Sequence, residues 1–298
     1  MLQTRRISAK HYYDYLPELP HKCGDIWSSL PTNGLLGQSP SSGIVITPAC
    51  DLANRKAETI IYLPIISVTD YFVTPGALPD LKERMAGLFQ AARLTDPVDW
   101  QPGRYRPPSG EAVDRGIAEI KQHLIVKQRG AKEIDALERA LAGLAIIRRI
   151  ADPSGGQIGK DCVARVFGKD WERIKSELVT NSYRTDLHFL PRDEQEGGFA
   201  GLASHSLALF RYPITAPIEV LDLAQVSPDA SWQNEASKLA AIYPAARAFS
   251  LERPVKVLSL KTEFLSDLLS RYCAVYSRLG SPDFTPQTVA RIGQEVDL

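Results

Sequence analysis

The chain reads as an α+β protein: a β-barrel interrupted by a large helical insertion and followed by C-terminal helices. Three observations predict this. Apolar, β-branched runs bounded by turn residues occur early, at residues 43–47 ("GIVIT") and 59–68 ("TIIYLPIISV"), and this is the composition of buried strands. Apolar residues at three- and four-residue steps then dominate between residues 79 and 179, the signature of helices packed on one face. Strand-like runs return at residues 184–191 ("RTDLHFLP") and 205–214 ("HSLALFRYPI") before helical spacing resumes. The expected division is therefore a barrel built from residues 1–75 and 181–225, a helical insertion over 76–180, and a C-terminal helical segment over 226–298.

Taken in order, "GDIW" (residues 24–27) reads as a first strand, and "LPTNGLLGQSPSSG" as an exposed loop, because Pro, Asn, Gly and Ser favour turns. That loop is long for a hairpin, and long loops in compact domains are often functional. Pro79 and Asp80 open a helix with Leu81, Met85, Leu88 and Phe89 on one face. The Pro-rich connector "DPVDWQPGRYRPPSG" leads to two helical patterns on either side of Gly130. In the second, Ile134, Leu137, Leu141, Leu144 and Ile147 share a stripe, as expected of an antiparallel helix pair. Residues 161–179 form one further helix with Val163, Phe167, Trp171, Ile174 and Leu178 on its face. A C-terminal helix over 261–280 ends at Gly280, a natural C-cap, and Thr285-Pro286 opens a short last one.

Of 298 residues, 44% are hydrophobic and 23% charged, which argues for a globular chain. Lys plus Arg and Asp plus Glu both number 35. Zero net charge excludes a protein that coats nucleic acid nonspecifically, since phosphate neutralisation drives such binding. A nucleic-acid role must rest on a local patch. No apolar run reaches the roughly 18 residues of a membrane span, and the N-terminus lacks a signal-peptide core, so the expectation is a cytoplasmic protein with no membrane partner. The four cysteines, Cys23, Cys50, Cys162 and Cys273, form no CxxC pair and read as reduced, mostly buried thiols. No metal site or cofactor is expected: GxxxxGK[ST], GxGxxG, HExxH and GxSxG are all missing from the sequence.

The run "GDIW", a polar loop, "GIVIT" and then "IIYLPIIS" resembles the first strands of the MazF/PemK toxin family, whose start has the pattern GDI(V/W), RPALVVS, VAPITS. The resemblance covers residues 24–67 only. It implies an SH3-like barrel and a metal-independent, messenger-RNA-cleaving endoribonuclease of toxin or anti-phage-defence type. The family's arginine before the second strand is replaced here by Ser39-Pro40-Ser41-Ser42, which removes a cation suited to stabilising a phosphorane. The family's threonine after "PI" falls at Ile66, with Ser67 next.

Five residues are candidates for a catalytic site: Asp25, Cys50, Asp51, Ser67 and His188. Cys50 reads either as a thiolate nucleophile with His188 as base and Asp51 as orienting group, or as a small apolar residue beside an Asp that satisfies turn amides. His188 alternates with Leu187 and Phe189, so it points to the opposite face of its strand. Asp25 lies near the expected binding face, and an Asp after Gly serves turn amides equally well. Arg104, Tyr105 and Arg106 are candidates for nucleic-acid binding, because arginines around an aromatic clamp phosphates and stack on bases; the same residues suit an exposed linker. His21 and His205 flank glycine-containing loops, and Lys121, Lys127, Arg129 and Lys132 sit among acids that cancel them. Two functions follow: a nucleic-acid-directed protein acting on RNA, or a non-catalytic sensor or adaptor that binds a protein partner through the helical insertion.

Overall fold

β-Branched and aromatic residues assemble one antiparallel sheet in the computed structural model, which describes residues 11–15, 17–37, 39–125, 129–154, 158, 160–193, 201–277, 285–288 and 291. Its strands are β1 (Tyr13–Asp14), β2 (Asp25–Leu30), β3 (Ser41–Val45), β4 (Thr59–Ser67), β5 (Leu187–Leu190), β6 (Ser206–Leu209), β7 (Ile214–Pro217) and β8 (Val255–Leu260). The spatial order is β1-β8-β2-β3-β4-β6-β5. β4 is long enough to hold β6 along Ile65–Ser67 and β7 along Thr59–Tyr62 on the same edge. The early strands and those after the insertion thus share one sheet.

The sheet is an open half-barrel, not the closed barrel expected from the sequence. β1 offers only two residues for pairing, and among the described residues no ladder joins it to β5. Side chains bridge the gap: the Tyr13 hydroxyl donates to the Pro191 carbonyl at 2.6 Å. Helix α10 (Thr262–Tyr276), numbered after the helices introduced next, covers the concave face. Its Leu268 packs with Ile26, Ile44, Leu63, Ile65 and Phe210.

Three apolar cores divide the molecule. β4 supplies all of them by alternation: Leu63 and Ile65 face the concave core, Ile60 and Tyr62 the convex one, and Ile66 the insertion. After a short α1 (Ala49–Ala53), the insertion comprises α2 (Val68–Tyr71), α3 (Leu78–Ala91), α4 (Gly110–Ile125), α5 (Ala131–Ala151), α6 (Lys160–Phe167) and α7 (Trp171–Val179). The expected single helix over 161–179 is broken between α6 and α7 at Gly168, whose φ is +57°. Arg84 and Arg139 donate to the freed carbonyls of Arg165, Val166 and Phe167, which would otherwise lack partners at a helix end. α8 (Ile218–Val226) and α9 (Trp232–Ile242) cover the convex face beside Trp27, Val45 and Tyr62.

Residues 226–298, expected to be helical, also contain β8, which lies between β1 and β2. Its "VKVLSL" alternates, but its partners stand far back in sequence. The thiols are all free, and Cys50 and Cys273 are exposed instead of buried. Lys127 and Gly280 lie outside the described residues. No described helix is long and apolar enough to cross a membrane.

Candidate functional site

Where the sheet meets the insertion, a cleft of about 1150 Å³ opens. Three local structures shape it. Ser67 ends β4 and caps α2: its Oγ accepts the Asp70 N–H at 2.9 Å and donates to Asp70 Oδ2 at 2.7 Å, a cap that fixes the first turn. The His205 ring stacks on Phe189 at 5.5 Å, and its Nδ1 accepts the Arg192 N–H at 3.1 Å, which leaves Nε2 to carry the proton of the neutral ring. The His205 carbonyl accepts from Val68 N at 3.0 Å and so ties α2 to the sheet. The third wall is apolar, with Val163 from α6 and Trp171, Leu178 and Val179 from α7. Val179 is 56% exposed there.

The rim carries both signs of charge. Lys175 pairs with Glu172 at 2.6 Å, and among the described residues Arg149 donates only to the Asp152 carbonyl, at 3.4 Å. Asp70 brings a carboxylate to the cleft. The Ser67 hydroxyl donates to the Asp70 carboxylate and accepts the Asp70 N–H, so both of its hydrogen bonds serve the cap that ends β4 and starts α2. The arrangement suits binding: a broad apolar floor with a few polar groups that set orientation.

The candidate catalytic residues are not gathered here, Ser67 excepted. Asp25 is buried on the convex side, where Oδ2 meets Lys256 Nζ at 2.8 Å and the Lys22 N–H at 2.8 Å, and Oδ1 accepts from Ser259 Oγ at 2.6 Å. Lys256 in turn lies 5.5 Å from the Trp27 ring centre and donates to the Glu18, Leu19 and Pro20 carbonyls. His188 faces the concave core, 2% exposed, with its ring 6.2 Å from Phe210 and Nδ1 4.0 Å from Asp267. Burial pushes its pKa down to about 4; Asp267 opposes this and Arg271 adds to it. Asp25 and His188 therefore sit on opposite faces of the sheet. Cys50 and Asp51 belong to α1, which precedes the Thr59 end of β4, whereas Ser67 ends that strand, about 26 Å further along at ~3.3 Å per residue. Among the described residues, Cys50 Sγ donates only to the neighbouring Asp51 Oδ1, at 3.5 Å. The expected pairing of Cys50 with His188 does not form among the described residues, nor does a cluster of three or more His, Cys, Asp or Glu suited to a metal.

Tyr105, from the expected nucleic-acid residues, lies half-buried in a second cleft of about 700 Å³ with Asn33, Arg211 and Tyr212. Arg104 and Arg106 are exposed beside it, and the Arg104 guanidinium is 5.8 Å from the Tyr105 ring centre. Sequence reading overlooked Arg211 and Tyr212, although "RYRP" and "RYP" are parallel Arg-Tyr signals. It also read Trp171 and Leu178 only as one face of a helix. No protein-family model matches the chain, and neither a curated protein nor a solved structure matches it.

Proposed function

We propose that the protein is a non-catalytic sensor or adaptor module that binds a protein partner through the helical insertion, in the cleft between α7 and the end of β4. The observation that carries this reading is the cleft's composition: Val163, Trp171, Leu178 and the exposed Val179 on one wall, with Lys175 and Arg149 at the rim. Such a surface favours an apolar segment flanked by acidic residues. The dispersal of Asp25, Cys50, Asp51 and His188 over two faces and two ends of the sheet supports binding over RNA cleavage. A peptide library displayed against the purified chain tests it. The expected result is enrichment of apolar anchors with acidic flanks, binding the chain at least ten-fold better than Val179→Arg. Peptides that bind both equally, or no enrichment, would reject the reading.

A further inference from the structure

The second cleft is built by three stretches far apart in sequence. The β2–β3 loop brings Thr32 and Asn33, the connector between α3 and α4 brings Tyr105, and the turn after β6 brings Arg211 and Tyr212. Arg211 is held from behind. Its Nε donates to Asp186 at 2.6 Å, Asp186 is buried, and Arg184 grips the same carboxylate through Nε at 2.9 Å and Nη2 at 2.8 Å. The Arg211 side chain stays 55% exposed, and its Nη groups make no hydrogen bond among the described residues. A guanidinium pinned by its inner nitrogen presents its outer fork with little rotamer freedom left to lose.

Arg184 pairs with Asp186 and, at 3.6 Å, with Asp80, and Arg211 shares Asp186; Arg104 and Arg106 have no carboxylate partner among the described residues and leave the surrounding charge cationic. Tyr105 and Tyr212 are both half-buried, and they interact electrostatically: burial raises the Tyr212 phenol first, and Tyr105 raises it further. Asn33, exposed in the left-handed region at φ 51°, adds an amide at the rim. Phenol rings beside an oriented guanidinium match one ligand chemistry, a flat aromatic ring joined to a phosphate. The arginine fork fits phosphate oxygens, the tyrosine faces take a base by stacking, and an amide can read a base edge.

We propose that this cleft binds a nucleoside 5′-monophosphate, free or as one residue of a single strand, with its phosphate at Arg211 and its base against Tyr105 and Tyr212. The site is separate from the cleft at α7 and stands whether or not that cleft takes a protein.

The test is titration calorimetry of the full chain with AMP, adenosine, inorganic phosphate and a ten-residue oligoadenylate. AMP should bind at least ten-fold better than adenosine or phosphate. Tyr105→Ala should weaken it roughly ten-fold, the size of one lost stack, and Tyr105→Phe should restore it. Arg211→Gln should bring AMP down to the affinity of adenosine. Tyr105 lies in an exposed connector, so Tyr105→Ala tests the site even if Arg211→Gln unfolds the chain. Tighter, Tyr105-dependent binding of the oligonucleotide supports the strand as the source; equal binding supports the free nucleotide. No saturable binding of AMP or oligonucleotide, or binding that Tyr105→Ala leaves intact, overturns the proposal.

Discussion

Asp25 and Lys256 form a buried ion pair whose remaining hydrogen-bonding positions are filled by Ser259, Lys22 N–H and three carbonyls. Breaking such a pair from one side leaves a buried charge unmatched and costs about 3–5 kcal/mol. Asp25→Ala should therefore lower the denaturation midpoint severely. If the variant instead kept its stability, the pairing assigned to Asp25 would be wrong. His188 gives a second prediction, with a definite sign. Its pKa is about 4 in the fold and ~6.5 when unfolded. The unfolded chain takes up the proton first, so this contribution is complete above ~6.5 and is lost progressively as pH falls toward about 4. His188→Phe should flatten that part of the stability–pH curve. An unchanged curve would contradict the burial assigned to the ring. Asp186 acts in the same pH direction at lower pH: burial pushes its carboxyl up, but Arg184 and Arg211 outweigh this and hold it below the usual range.

At the scale of elements, the side chains of Leu30 from β2 and Tyr62 from β4 pack across Gly43 of β3 and fill the space a side chain there would need. A Cβ on Gly43 would stand 2.7 Å from Leu30 Cδ1 and 2.8 Å from Tyr62 Cδ2. Gly43→Ala should cost about 1–3 kcal/mol through overpacking, measured by urea unfolding; a neutral change would show that the convex core is looser than described. The same elements show what the sequence could reveal. β4 was readable because it is buried on both faces and so appears as an unbroken apolar run. The stripe of α5 was readable from Leu137, Leu144 and Ile147, all buried. β8 was not, because a six-residue alternation amid helical segments carries little signal until β1 and β2 arrive on either side. The break at Gly168 was hidden because Val163, Phe167, Trp171 and Ile174 keep helical spacing across it.

For the whole molecule, the insertion leaves the sheet at the end of β4 and returns at β5, two strands away across β6. The cleft arises at that junction, from the cap at Ser67, the ring of His205 and the wall of α7. Ser67 could be picked out from the sequence, but its neighbours could not. Trp171 and Val179 become neighbours of Ser67 only when chain segments a hundred residues apart fold back on the sheet. Cys50, Asp51 and His188 carry chemistry that suits a catalytic site, yet topology sends them to different ends and faces. The sheet's openness has the same origin, since a two-residue β1 cannot complete a ladder with β5. The most direct test of the central claim, that the insertion and sheet edge together form the binding surface, is hydrogen exchange with and without a peptide selected on the chain. The account predicts slowed exchange in α7 and in the turn of α2 next to Ser67, with α1, which carries Cys50, unchanged. Slowing confined to α1 would contradict it.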